Sequence, residues 1–432
     1  MSDDPYPQDE EAPFAALDDL PVMQSEPSEA GTSTTNRSML MRLLERHSSK
    51  RITDVPARDL GFADHVPYPF MGLVGQVEMR VALLLAAINP NVGGVLLVGP
   101  RGTGKTTAAR GLGDLLPMIE RWVCVYDDNP AQCEFMEHGH CSMCKANLDD
   151  PDSLRRVEPV KFVELPLNAG LTDVIGGLNE RIAMERGQAR LNRGILARAD
   201  KNILYVDEVN LLEDEIADAI LDAAAQGHYT VRRGPVSASY RSRFVLIGSM
   251  NPEEGALRPQ IMDRFGLRVL VTGMTSTEER LQVYERVRQY RENPRAFIRQ
   301  FYEETLYARE DIEYARSILR DVSLPESIKE AGLRLVQELK IHSNRAEFTM
   351  FEAARAYAAL DSREDVTIED LQVGAPMALR MRRSEYMDNY FDSQQSEDQT
   401  IQTTLESMHI PTALPAETEH HDNSDAADAP PN

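Results

Sequence analysis

The chain has 432 residues, 42% of them apolar, with 46 Lys and Arg against 70 Asp and Glu, a formal net charge of −24. That is enough for two domains with a sizeable core, but the charge has the wrong sign for a protein that grips a phosphate backbone. The excess sits at the ends: residues 1–36 carry nine acids and residues 385–432 eleven, neither holding a Lys or Arg, so 37–384 is close to neutral.

No apolar run approaches the ~18 residues needed to span a bilayer. The acidic N-terminus lacks the basic and apolar regions of a secretory signal, and the cytoplasm is the expected compartment. Residues 1–64 read as a disordered acidic extension and linker, with a helix-like patch at Met39–Arg46. From about residue 65 apolar strands alternate with helical periodicity, the pattern of an α/β domain with a parallel sheet. Val95-Leu-Leu-Val98, Ile203-Leu-Tyr-Val206 and Phe244-Val-Leu-Ile247 are short runs apolar on both faces, which suits strands covered on both sides. Beyond about 275 only helical periodicity remains, over 278–290, 294–306, 310–319, 325–342, 346–360 and 368–379. The expected organisation is therefore an α/β domain over 65–275, an all-α helical domain over 276–384 and a disordered acidic tail over 385–432.

The first strand runs into Gly99-Pro100-Arg101-Gly102-Thr103-Gly104-Lys105-Thr106 and a predicted helix over 107–116. This is G-x-x-x-x-G-K-[ST] in the strand–loop–helix context the motif requires. Backbone N–H groups freed by the glycines close around phosphates, Lys105 reaches the β- and γ-phosphates, and the Thr106 hydroxyl binds Mg²⁺. About a hundred residues later the second strand ends in Asp207-Glu208. Asp207 is expected to join the Mg²⁺ shell and Glu208 to activate water. The third strand leads to Asn251, placed to contact the γ-phosphate or that water. Arg264 follows, with Arg258 the second choice. In the AAA+ ATPases that the loop and acid pair resemble, an arginine at this point is expected to enter a neighbouring subunit's site and stabilise the transferring phosphoryl group. Arg345 begins a later helix, where a lid arginine meets the γ-phosphate of its own subunit. An asparagine before proline is otherwise a turn residue, Arg264 otherwise a surface salt bridge with Asp263, and an arginine at a helix start is common in any helix.

These residues together resemble one family. Pro69-Phe-Met-Gly-Leu-Val-Gly-Gln76, the phosphate loop, Val206-Asp-Glu-Val-Asn-Leu-Leu212 and Gly248-Ser-Met-Asn-Pro-Glu-Glu-Gly-Ala-Leu-Arg-Pro-Gln-Ile-Met-Asp-Arg-Phe-Gly-Leu267 look like the ATPase (I) subunit of magnesium chelatase, an AAA+ family. The resemblance covers about 67–384. It implies a homo-oligomeric, hexameric ring that works with a D subunit and a large porphyrin-binding H subunit. It also implies that Mg·ATP hydrolysis drives Mg²⁺ insertion into protoporphyrin IX on the way to (bacterio)chlorophyll. The segments Leu165–Asp173 and Asn192–Gly194 are similar to a family insertion. Tyr229–Val236 reads as a hairpin whose Arg232 and Arg233, with Arg241 and Arg243, either meet partner subunits or face solvent. The motor of a cobalt chelatase and a MoxR-type remodelling ATPase share the same motifs, and a non-hydrolysing nucleotide-gated scaffold is the reading from another class.

One feature departs from plant and cyanobacterial members of the family. All four cysteines, Cys124, Cys133, Cys141 and Cys144, fall in one insert over 124–144, the last two as C-x-x-C. A tetrahedral zinc site, with His138 and His140 as substitute ligands, an iron–sulfur cluster, a thiol redox switch and four unligated thiols are the alternatives.

Overall fold

The computed structural model describes residues 66–122, 145, 154–178, 191–234 and 236–407, the side chains of 385–388, 391 and 392 excepted. The expected extension over 1–64, the whole cysteine insert over 124–144 with all four cysteines, and residues 408–432 lie outside the described residues.

Five strands build a parallel sheet: β1 (Val95–Val98), β4 (Phe162–Leu165), β5 (Ile203–Val206), β8 (Val245–Met250) and β9 (Leu267–Leu270), in the order β4-β5-β8-β1-β9. Two antiparallel pairs stand apart, β2 (Ile119–Trp122) with β3 (Arg155–Glu158), and β6 (His228–Arg233) with β7 (Val236–Arg241). The second pair is the expected hairpin, turning at Gly234 with φ +58°.

Strand periodicity divides the core in two. Val95 and Leu97, with Ile203, Tyr205 and Ile247, face one layer; Leu96 and Val98, with Leu204, Val206 and Leu246, face the other. The first layer is closed by α1 (Val77–Ile88) and α2 (Lys105–Leu112), and then by α9 (Tyr302–Ile318), α10 (Glu326–Glu338), α11 (Arg345–Leu360) and α12 (Ile368–Leu379). The second is closed by α4 (Ile195–Ala199) and α5 (Asp214–Gln226), α3 (Leu171–Ile175) lying beside them. Helices α9, α10, α11 and α12 thus share a continuous core with the sheet. Helix α11 approaches closely because its inner face is alanine: Ala346, Ala353, Ala354, Ala356, Ala358 and Ala359 are all buried. Gly374 of α12 lets the two backbones meet; a Cβ there would stand 3.3 Å from that of Ala353.

Three expectations need correction. The helix placed over 107–116 begins at Lys105, because Gly104 takes φ +86° as its N-cap, and it tightens into a 3-10 turn at Gly113–Leu115. The segments placed over 294–306 and 310–319 are instead α8 (Pro294–Gln300) and α9, broken at Phe301, whose φ of −105° and ψ of 10° leave the helical region. Residues 385–407, expected to be disordered, form α13 (Glu385–Ser407). That stretch is acidic and polar but holds no proline or glycine, and its Gln, Glu, Met and Leu residues favour helix.

Candidate functional site: a phosphate-loop cleft and an arginine cleft on opposite sheet edges

The loop Gly99–Thr106 leaves the C-terminal end of β1, and its glycines are needed for different reasons. A Cβ on Gly99 would lie 2.0 Å from the Val271 carbonyl oxygen; Gly102 and Gly104 have open space but φ of +79° and +86°. Lys105 is buried and its Nζ donates to the carbonyls of Gly99 (2.6 Å) and Pro100 (2.8 Å). The ammonium is thus held by its own loop. Burial pulls its pKa below the ordinary value, against the pull of Asp207 and Glu254.

Strands β5 and β8 bring the acids and Asn251 to the same edge. The expected residues Arg101, Gly102, Thr103, Gly104, Lys105, Thr106, Asp207, Glu208 and Asn251 line one cleft, joined by Thr107 and Ser249. Asp207 accepts hydrogen bonds on Oδ1 from Tyr205 (3.1 Å) and from Ser249. Tyr205 also meets the Thr106 hydroxyl at 2.8 Å. Burial pushes the Tyr205 phenol up to about 12, with the Ser249 and Thr106 hydrogen bonds acting the other way. Glu208 is a non-glycine residue at φ +49°, ψ 54°, a costly conformation of the kind that gathers at working sites. Its carboxylate is 2.9 Å from Arg101, which also pairs with Glu254 at 2.6 Å. Asn251 is buried, donates to Glu254 (3.0 Å) and caps the next turn by accepting from the Glu253 N–H (3.3 Å). A largely apolar recess opens beside Gly102–Gly104, between Tyr68, Val74, Met79, Met274 and Val287, and offers room for a flat base.

Sequence reasoning missed Tyr205, Ser249 and Glu254. The signal for the tyrosine was present: it is the single polar-tipped side chain in an otherwise aliphatic buried strand. Ser249 had a weaker one, as a hydroxyl inside a strand buried at every position.

The arginines lie elsewhere. Arg264 and Arg345 line a separate cleft with Asn91, Gly93, Gly266 and Phe348. Residues 91–93 precede β1 and Gly266 precedes β9, whereas the phosphate loop follows β1. The strands are parallel, so this cleft is at the N-terminal edge of the sheet, about 13 Å of strand away from the loop. Arg345 therefore stands away from its own subunit's phosphate loop. Helix α11 packs on α1 and on the turn Pro90–Val92, which carries its first residue to the far edge. Arg264 pairs with Asp218 (2.9 Å) and Asp222 (3.0 Å) of α5, and Arg345 lies 3.9 Å from Asp263 with its side chain 55% exposed. Arg258 pairs with Asp214.

Hard oxygen donors at Thr106 and Asp207 match a magnesium ion that keeps most of its ligands from phosphate and water. Among the described residues no three His, Cys, Asp or Glu side chains are grouped as a further metal site, and no helix is long and apolar enough to cross a membrane.

Phosphate loop, acid pair and polar strand-end residue on one edge of a parallel sheet, followed by a bundle of helices, define an AAA+ P-loop ATPase. A family model for the AAA lid domain matches residues 332–404, and one for magnesium chelatase, subunit ChlI, matches 179–273. The chain is 44% identical over 322 residues to a magnesium-chelatase subunit ChlI homolog of Methanocaldococcus jannaschii, covering 74% of this chain and 87% of that one. It is 40% identical to magnesium-chelatase subunit ChlI-2, chloroplastic, of Arabidopsis thaliana, covering 73% and 75%. It is 38% identical to the magnesium-chelatase 38 kDa subunit of Chlorobaculum parvum, covering 73% and 91%. A solved cryo-EM-based structure of the complex between BchI and BchD of magnesium chelatase matches at 36% identity and a TM-score of 0.42, covering 75% of this chain and 99% of that one. The chain belongs to the magnesium chelatase ChlI family, and with that comes the use of Mg·ATP.

Proposed function

We propose that this chain is the ATPase motor of a magnesium chelatase, coupling ATP hydrolysis to insertion of Mg²⁺ into protoporphyrin IX in (bacterio)chlorophyll synthesis. The observation that carries the reading is the convergence of Lys105, Thr106, Asp207, Glu208 and Asn251 in one cleft at the ends of three adjacent parallel strands. Lys105 leaves the loop carbonyls for the phosphates as the nucleotide enters. Thr106 and Asp207 would hold the Mg²⁺ of Mg·ATP, which would supply charge neutralisation to the phosphates. Glu208, freed from Arg101, prepares the attacking water, and Asn251 orients it.

With both arginines on the opposite sheet edge, the site is completed by a neighbour in a homo-oligomeric ring, a hexamer by resemblance. Arg264 and Arg345 of one subunit approach the phosphates of the next and stabilise the charge of the transition state. Residues 65–275 act as the nucleotide-binding domain and 276–384 as the lid that passes motion to a D subunit and to a porphyrin-binding H subunit, in the cytoplasm, without nucleic acid. The cysteine cluster is a separate, sequence-based proposal of a bound zinc. Stoichiometric zinc lost on Cys141→Ser supports it, iron with visible absorbance replaces it with a cluster, and metal-free protein refutes both.

The test is reconstitution with D and H subunits, protoporphyrin IX, Mg²⁺ and ATP. Magnesium protoporphyrin should form, and should vanish with Lys105→Ala. Cobalt insertion in its place would refute the assignment to magnesium, and ATP hydrolysis with no metal insertion would refute the chelatase assignment.

A further inference from the structure

The Thr106–Tyr205–Asp207 contacts have a direction that elementary hydrogen-bond counting fixes. Asp207, ionised, can only accept, so the 3.1 Å contact with Tyr205 is donated by the phenol. Tyr205 has one proton, and it is spent there. The 2.8 Å contact between Tyr205 and Thr106 must then be donated by the threonine to the phenolic oxygen. Thr106 is thereby left with its proton turned away toward the strand and its lone pairs free. Ser249 donates to the same Oδ1 of Asp207 and accepts from the Glu208 N–H (3.4 Å). With both hydroxyl donors gathered on Oδ1, the carboxylate's other oxygen is kept for a cation.

We propose that Tyr205 is a positioning residue for magnesium: it sets the rotor of Thr106 and one edge of Asp207 so that both present lone pairs to the Mg²⁺ of Mg·ATP. This rests on the ATPase reading above and adds a residue to it. The tyrosine is built for the task. It is fully buried, its ring packs against Phe162 at 5.3 Å between centroids, and its hydroxyl emerges between the two ligand-bearing segments. A rigid ring with its tip at the site holds geometry without touching the nucleotide, as partners behind metal ligands do elsewhere.

Tyr205→Phe keeps the ring and deletes the hydroxyl. In the full chain, affinity for a fluorescent ATP analogue would be titrated with Mg²⁺ and again in excess EDTA. Losing an outer partner of this kind costs about 10–100-fold in metal affinity. The wild type should bind more tightly with Mg²⁺. In Tyr205→Phe the extra affinity due to Mg²⁺ should fall by about tenfold or more while affinity in EDTA is unchanged. In a Thr106→Ala background, itself folded, Tyr205→Phe should lower the Mg²⁺ gain much less than it does alone. Equal losses with and without Mg²⁺, or a Mg²⁺ gain equal to wild type, would overturn the inference and leave the ATPase reading intact. A wild-type chain that gains nothing from Mg²⁺ would instead overturn that reading.

Discussion

Asp263, on the short helix Pro259–Arg264, meets Arg382, just past the end of α12: Arg382 Nη1 sits 2.6 Å from Asp263 Oδ1, with the guanidinium side chain fully shielded from solvent. Ser343, just before α11, donates to the other oxygen at 3.0 Å, and Arg268 lies 3.6 Å away. Burial, reinforced by the neighbouring Arg382 and opposed by Asp263, draws Arg268 down to about 9. One carboxylate therefore compensates two buried cations beside Arg264. Removing a partner of a buried pair costs about 3–5 kcal/mol. Asp263 is partly exposed, so Asp263→Ala should destabilise by about 2 kcal/mol. Urea unfolding of the purified chain checks this; a variant as stable as wild type would show that the carboxylate does not hold the lid.

Placement of Arg345 beside Arg264 makes a prediction about mixtures. Arg345→Ala and Lys105→Ala should each be inactive as ATPases. In a ring, a Lys105→Ala subunit still offers its arginines to a neighbour. Co-assembled at equal amounts, the two variants should recover activity at about a quarter of the sites, the fraction in which an intact loop faces intact arginines. Arg264→Ala should complement Lys105→Ala in the same way. A mixture with no more activity than its components would mean that Arg345 acts within its own subunit after all.

The contrast between these arginines and the phosphate loop shows where sequence reading reaches its limit. β1 and β5 are legible to the residue because a short, uninterrupted aliphatic run has few other places to go than a sheet covered on both faces. The loop is legible because it is contiguous, its chemistry being carried by neighbours in the chain. Arg345 is legible only as a helix start. Which edge of the sheet that start reaches depends on the alanine face of α11 and on Gly374 behind it, a packing result spread over thirty residues. Tyr205 shows the same limit at short range. Its hydroxyl is visible in the strand, but its partner Thr106 is ninety-nine positions away. The acidity of residues 385–407 argued for solvation, which α13 satisfies as a helix whose described side chains are exposed.

The lid has its own pH dependence, centred on Asp370. Burial works to raise this carboxyl, yet the two-pronged contact from Arg363, with the Thr367 N–H and hydroxyl, holds it below the ordinary range. A carboxylate depressed in the folded state and ordinary in the unfolded one, near 3.9, adds stability above that value. The contribution disappears as pH falls through the lower folded pKa. Stability should thus decline below about pH 4, and Asp370→Asn should both flatten that acid limb and cost about 2 kcal/mol at pH 7. Thermal unfolding at a series of pH values would reveal it; an unaltered acid limb in the variant would assign the decline to other carboxylates.

The last prediction concerns Arg101, the one phosphate-loop side chain that reaches across to the acids. It bridges Glu208 and Glu254, but it is 72% exposed. An ion pair so open to water is weak, so it cannot lock the site. Its effect is to give Glu208 a partner until nucleotide arrives, after which that carboxylate must turn to water. Loss of the guanidinium leaves every phosphate-binding N–H of the loop in place. Arg101→Ala should accordingly change ATP turnover by no more than about fivefold, in the direction of faster basal hydrolysis. Glu208→Gln keeps the Arg101 contact but has no base to offer, and it should bind nucleotide with turnover reduced by about a hundredfold or more. Steady-state ATPase assays beside nucleotide titrations separate the two. Should Arg101→Ala be as inactive as Lys105→Ala, the arginine must itself contact the phosphates, and its pairing with Glu208 would be incidental.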